Sequence, residues 1–130
     1  MSKCCKWLDR DLCHSPLYIG LCTTEKSYLS ELKRLGIKKN DRPSFCDLGD
    51  AVVHFVENKK GTVSEGTVSA IVCIPYGRPI HEVVGLLAHE AVHIWQEIKI
   101  KLGEHSPSPE FEAYSIQTIT ERLYRAYYNV

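Results

Sequence analysis

Several features that assign a chain to a large protein class are missing from this sequence. Among its 130 residues no apolar run approaches the roughly 18 residues of a membrane-spanning helix, and residues 1–6 lack the apolar centre of an export signal. The chain also has no Gly-x-Gly-x-x-Gly, no glycine-rich phosphate loop and no Gly-x-Ser-x-Gly. We therefore expect a cytoplasmic protein without membrane association, and neither a dinucleotide-binding nor a serine-hydrolase mechanism.

An excess of charge of either sign is also missing. Sixteen acidic and sixteen basic residues give a formal net charge of zero. The Lys and Arg clusters are short, as in solvated turns, rather than forming the basic surface that binds a phosphate backbone. Nucleic acid is therefore not an expected partner.

The six cysteines form no Cys-x-x-Cys pair. Scattered cysteines in a chain without an export signal are expected to stay reduced. Cys22 and Cys73 lie in apolar runs, where a thiol behaves as a small hydrophobic side chain. Cys4, Cys5 and Cys13 do not have the spacing of a standard zinc site, so no second metal site is expected there.

Length and hydrophobic pattern predict one α+β domain that covers residues 1–130. A hydrophobic content of 44% suits an ordinary globular domain. Runs of strand-forming residues predict three strands, the last two as an antiparallel hairpin: 17–22, 51–56 and 67–74. Apolar residues at helical spacing predict an N-terminal helix capped by Thr23 or Thr24 and two C-terminal helices: 24–35, 79–102 and 109–128. The expected fold is a small mixed sheet with these helices packed on it.

The strongest chemical signal is His-Glu-Ala-Val-His at residues 89–93. A shuffled chain of this composition would contain His-Glu-x-x-His in about 2% of cases, so the apolar, helical context of the motif also counts. Residues four apart share a helix face, so His89 and His93 can bind one Zn²⁺. Glu90 lies about 100° round the helix and can take a proton from a metal-bound water, whose pKa zinc lowers to roughly 7. The motif predicts a zinc site with Glu90 as general base.

A third protein ligand is expected from the following helix. Ser108 is a good N-cap and Pro109 suits the first helical position, so Glu112 lies near the helix start. Glu112 shares a face with apolar residues at helical spacing, which predicts that it points into the protein. Glu110 lies on a more polar face and is the weaker candidate.

The motif, the eighteen residues after it and then Glu112 on a following helix resemble the gluzincin group of zinc metallopeptidases. The small size is similar to the minigluzincins, and the overall character resembles a metallopeptidase-like protein of bacteriophages, which would place it in the host cytoplasm. The resemblance implies a zincin-like fold, with His89, His93 and Glu112 as zinc ligands and Glu90 as general base. It also implies a polypeptide substrate, held along an edge strand similar to residues 68–74. Ile116 stands where gluzincins commonly carry a polar group that orients a zinc histidine.

Two other interpretations of the motif stay open. A deformylase-like amidase would pair it with an upstream cysteine ligand, and Cys46 lies at a plausible distance, although its surroundings are not similar to that family's cysteine motif. A non-catalytic zinc-stabilised binding protein would close the site with a fourth ligand such as His105 or Cys73, because closed zinc sites are structural.

A donor that polarises the scissile carbonyl is not determined by the sequence. Phenols and imidazoles can both serve. The candidates are Tyr76, Tyr114, Tyr127, His14, His54, His81 and His105.

Overall fold

The computed structural model describes residues 5–8, 15–46, 50–59 and 66–129. Within them the fold is mixed α+β, with a four-stranded mixed sheet and three α-helices. The strands are β1 (Lys6–Trp7), β2 (Leu17–Cys22), β3 (Val52–Glu57) and β4 (Val68–Cys73). The helices are α1 (Glu25–Arg34), α2 (Ile80–Lys101) and α3 (Pro109–Tyr128), and a short 3-10 turn covers Lys39–Asp41. The three predicted strands and three predicted helices are all present.

The sheet has the order β1-β2-β4-β3. β2 and β4 are parallel, because α1 and the chain after it connect them, and β3 and β4 form the predicted antiparallel hairpin. The prediction that residues 68–74 form an edge strand is wrong, since β4 lies between β2 and β3 and both its sides are paired. The edge on this side of the described sheet is β3. The prediction failed because hydrophobic pattern identifies a strand but not its neighbours.

One face of the sheet packs against α1. Helix α1 begins after Thr24, whose side chain accepts a hydrogen bond from the backbone of Ser27 at 3.2 Å, so Thr24 and not Thr23 is the cap. The buried residues of this face come from β2, β3, β4 and α1 and its following turn: Cys22, Tyr28, Leu32, Leu35, Ile37, Val56, Ile71 and Cys73. Cys46 and Phe45 pack against the same cluster.

The opposite face packs against α2 and α3. Alternate residues of β2 and β4 point to this side, because side chains alternate along a strand. The helices contribute the largest buried residues, among them Leu87, Ile94, Trp95 and Leu123. Helix α2 ends at Lys101, and Gly103 follows the cap residue Leu102 with a φ of 73°, a left-handed conformation that favours glycine. The Ser108 hydroxyl accepts from the Phe111 backbone at 3.2 Å and begins α3.

Strand β1 was not expected from the sequence. Residues 1–15 lack a strand pattern, and two residues give no periodicity. Trp7 lies directly opposite Gly20, where a Cβ would meet the indole ring at 3.0 Å. Because Gly20 has no side chain, the Trp7 indole can pack directly against it. In the described part of the chain no helix is both long enough and apolar enough to cross a membrane.

Candidate metal site

Helix α2 brings the two motif histidines together on its exposed side. The Nε2 atoms of His89 and His93 are 3.1 Å apart, and their rings are nearly perpendicular, at 75°. Two nitrogens bound to one tetrahedral zinc at about 2.0–2.1 Å would be about 3.3 Å apart. The pair therefore has the separation that one zinc ion requires, and both side chains are open to solvent on the side away from the core.

Gln96 orients the second histidine. Its side-chain oxygen is 3.2 Å from Nδ1 of His93. An Nδ1–H that donates to this oxygen leaves the lone pair on Nε2, the atom that faces His89. Metal-binding histidines are commonly held in this way by an acceptor on the other ring nitrogen. Gln96 is therefore in position to orient His93, which the sequence left unassigned.

Glu90 lies below the histidines and is only 4% exposed. Burial raises the pKa of its carboxyl, while the two histidines and a hydrogen bond from the backbone N–H of Val53 act in the opposite direction. A raised pKa makes the carboxylate a better proton acceptor near neutral pH. The position and the chemistry both suit a general base.

A cleft of about 340 Å³ separates α2 from the edge strand β3. The motif residues His89, Glu90 and His93 form one wall, and residues 51–53 with Phe55 form the other. Phe55, a residue of this wall, is 39% exposed. The cleft therefore has a partly exposed aromatic residue on the wall opposite the histidine pair.

The hydrogen-bond pattern of the hairpin determines which backbone groups face the cleft edge. Asn58 N–H donates to the Thr67 carbonyl at 2.8 Å, so these opposed residues form a hydrogen-bonded pair. Hydrogen-bonded and non-hydrogen-bonded pairs alternate along an antiparallel ladder. Val53 and Phe55 belong to non-hydrogen-bonded pairs, so their N–H and C=O groups point away from β4. The Val53 N–H meets Glu90. The Phe55 groups point to the open edge.

Glu112 does not lie with the histidine pair. Its Oε2 accepts from Trp95 Nε1 at 2.8 Å and from Lys99 Nζ at 3.4 Å. Trp95 is two residues past His93 and therefore about 200° round the helix, and Lys99 is one turn beyond Trp95. The bond from Trp95, with the charge and hydrogen bond of Lys99, lowers the pKa of the Glu112 carboxyl. Glu112 thus joins α3 to the opposite side of α2, and its role as a zinc ligand stays a prediction.

The alternative ligands also lie elsewhere. The thiol of Cys46 donates to the Cys73 carbonyl at 3.3 Å on the α1 face of the sheet, and Cys73 is fully buried on that face. His105 and Glu110 are exposed, in the α2–α3 loop and the first turn of α3. Across the described ranges, no group of three or more His, Cys, Asp or Glu side chains is arranged to hold a metal ion.

The candidate carbonyl donors do not line this cleft. Tyr76 donates to the Tyr127 carbonyl at 2.5 Å, and Tyr127 is buried with its hydroxyl 3.4 Å from the Pro75 carbonyl. Tyr114 is 62% exposed on α3. His54 bonds to the Ser44 carbonyl at 2.7 Å through Nε2 and packs on Tyr28. His81 and His105 are exposed, and His14 lies outside the described residues.

Sequence reasoning missed two parts of the site. Gln96 had a usable signal, because a residue three positions after a helical histidine lies beside it. The wall formed by β3 had no signal in the sequence, because it depends on which strand lies at the edge of the sheet.

Comparisons with protein-family models, with curated proteins and with solved structures gave no match.

Proposed function

We propose that this chain is a zinc-dependent peptide hydrolase whose site is formed by His89, His93 and Glu90. One observation carries the proposal: two imidazole Nε2 atoms converge to 3.1 Å above a buried carboxyl in the same cleft. A pair of solvated histidines on a helix would need neither the acceptor on Nδ1 nor the buried glutamate between them.

The division of labour among the residues follows from their positions. Zinc, when bound, would polarise a carbonyl and lower the pKa of a water to roughly 7. His89 and His93 hold the ion, and Gln96 keeps the Nε2 lone pair of His93 directed toward it. Glu90 accepts the proton of the attacking water and passes it to the leaving amine. The Val53 N–H keeps the carboxyl of Glu90 in place between these events.

The zincin-like and gluzincin-like parts of the proposal depend on Glu112. As third ligand it would have to leave Trp95 and Lys99 and reach the other side of α2, which needs a movement of the first turn of α3. The test is zinc affinity in Glu112→Gln beside Cys46→Ser. On the gluzincin proposal the first variant loses most of its zinc and the second keeps it. Equal retention in both variants would withdraw Glu112 as a ligand and leave the histidine pair with water.

A polypeptide in extended form is the proposed substrate. The outward N–H and C=O of Phe55 can pair with a substrate strand, and such pairing gives affinity with little demand on side chains. Phe55→Pro removes that N–H without removing a bond to β4, while Phe55→Ala removes only the ring. We expect Phe55→Pro to lower kcat/KM well below Phe55→Ala. Similar values in the two variants would exclude backbone pairing at this residue.

The function itself is tested with a peptide library, zinc and the variant Glu90→Gln. This variant should keep zinc and lose cleavage by about 100-fold or more, because an amide cannot accept the proton. Glu121→Gln, on the exposed side of α3, is the matched control and should cleave as the parent does. Cleavage by Glu90→Gln at the parental rate would remove Glu90 as base. Zinc binding with no cleavage of any library member by the parent would favour the binding-protein alternative.

A further inference from the structure

Cys5 and Cys22 lie directly opposite each other at the start of the β1–β2 pairing. Lys6 is opposite Leu21 and Trp7 is opposite Gly20, so the next pair outward is Cys5 with Cys22. Leu8 N–H donates to the Ile19 carbonyl at 2.8 Å, which makes that opposed pair hydrogen-bonded. Pairs alternate, so Cys5 and Cys22 form a non-hydrogen-bonded pair, where Cα atoms are about 4.5 Å apart. A disulfide accepts Cα separations from about 4.4 Å upward.

We propose that Cys5 and Cys22 are a dithiol that a low-molecular-weight disulfide, such as glutathione disulfide, converts to a cross-strand disulfide. Their Sγ atoms are 2.8 Å apart, with Cys22 donating to Cys5. Only a small rotation of the two side chains separates this contact from a covalent bond. The site lies on the α1 face, so it is independent of the proposed hydrolase on the other face.

A second thiol beside Cys22 is the competing partner. Cys73 faces Cys22 in the parallel β2–β4 register and is fully buried, with its thiol directed at the Ile71 carbonyl 3.9 Å away. Cys5 is half-buried, so it is the member of the row that a dissolved disulfide can reach. Reaction therefore begins at Cys5 and ends on Cys22, the thiol already in contact with it.

The reaction balances as thiol–disulfide exchange. The Cys5 thiolate attacks one sulfur of the small disulfide, forms a mixed disulfide and releases one small thiolate. The Cys22 sulfur then attacks Cys5 Sγ and releases the second thiolate. The two released thiolates take up the two protons that the protein thiols lose, so the small disulfide is reduced and the protein is oxidised. The hydrogen-bonded contact with Cys22, together with burial, raises the pKa of the Cys5 thiol, so exchange should take hours.

The bond would hold β1 on the sheet. β1 has only two residues, and besides its ladder it is held by Trp7, which lies over Gly20 and donates from Nε1 to Glu31 at 2.6 Å. A link between residues 5 and 22 closes a loop of moderate length. We expect the oxidised chain to unfold about 5 °C or more above the reduced one.

The test uses a Cys4→Ser/Cys13→Ser background, because trypsin leaves Cys4 with Cys5 and Cys13 with Cys22 in the same peptides. The folded, reduced protein is incubated with glutathione disulfide, alkylated and digested, and linked peptides are identified by mass spectrometry. We expect a chain lighter by two hydrogen atoms and one link, between the Cys5 and Cys22 peptides. The wild-type chain should show the same mass loss.

Two variants in that background complete the test. Cys5→Ser should form no intramolecular link, while Cys46→Ser, the matched control on the same face, should form the Cys5–Cys22 link at the parental rate. Circular dichroism checks that both variants are folded. A main product linking Cys22 to Cys73, links that involve Cys46, or no loss of hydrogen after a day would each overturn the proposal.

Discussion

Glu90 is placed where its proposed use as a base and its effect on stability oppose each other. The carboxyl is almost entirely buried beneath the histidines, and burial raises its pKa. A base benefits from that shift, because its affinity for a proton is higher. The same burial destabilises the folded protein, because an ionised carboxylate in this position is poorly solvated.

The first prediction concerns this cost in the metal-free chain. The folded-state pKa of Glu90 lies above the unfolded value, so ionisation destabilises the fold once the pH rises through the folded pKa. Glu90→Gln should therefore unfold at higher denaturant concentration than the parent at about pH 7. The difference should vanish below about pH 4, where both states are protonated. Urea titrations in chelator measure this difference in stability. If Glu90→Gln were more stable than the parent by the same amount at every pH, ionisation of Glu90 would not be the cause.

The second prediction concerns Gln96. Replacing it by Leu removes the acceptor from Nδ1 of His93 and leaves the tautomer and the ring orientation unfixed. Loss of such an orienting group typically weakens metal binding by about 10–100-fold. Competition with a zinc-sensitive dye measures the affinity. Gln117→Leu on α3 is the control and should bind zinc as the parent does; equal affinity in the two variants would show that Gln96 does not orient His93.

At the scale of elements, Glu112 joins α3 to α2 beside their apolar core. Trp95 is 1% exposed, yet its indole N–H reaches the half-exposed Glu112, and Phe111 packs on the edge of the ring at 5.4 Å. The indole would otherwise be a buried donor without a partner, which is costly. Glu112 therefore has a structural task that does not need a metal.

The third prediction tests that task with Trp95→Phe, Glu112→Leu and the double variant. Each single change should destabilise the metal-free chain, and the double variant should lose less than the sum, because both changes remove the same bond. The folded-state pKa of Glu112 is lowered, so this stabilisation is present above the usual Glu pKa and is lost as the pH falls through the folded value. Additive effects at neutral pH would show that the bond contributes little.

At the scale of the molecule, the sheet separates two kinds of chemistry. The α1 face carries Cys22, Cys73 and Cys46, and the α2 face carries the histidine pair and Glu90. The cleft opens at the β3 edge, where the sheet ends among the described strands.

The fourth prediction concerns zinc and global stability. Zinc that binds only the folded chain should raise its free energy of unfolding, by about 2.7 kcal/mol at a free concentration 100 times the Kd. Protons compete with zinc for imidazole nitrogen, so the gain should shrink in acid. Thermal unfolding with zinc and with chelator measures it. His89→Ala should abolish the gain and His81→Ala should keep it; a gain that survives His89→Ala would place the metal elsewhere.

The sequence by itself determined the three helices, the three longer strands and the placement of the two motif histidines on one helix face. Strand and helix limits followed from apolar periodicity and caps, with β2, α2 and α3 close to their expected bounds. The approach of His89 to His93 followed from helical spacing, since both belong to one regular element. Local geometry is enough for such features because no other part of the chain takes part in them.

Only the tertiary structure decided how elements meet. Strand β3, and not β4 as expected, lies at the edge of the described sheet. Glu112 was expected beside the histidines but contacts Trp95. The apolar stripe of α3 fixed which face is inward, but not which side of α2 it would contact, and that depends on how both helices cover the sheet. The contact of Cys5 with Cys22 arose in the same way, from the pairing of a strand too short to have a pattern. Such contacts join residues distant in sequence, and they follow from the packing of the whole core.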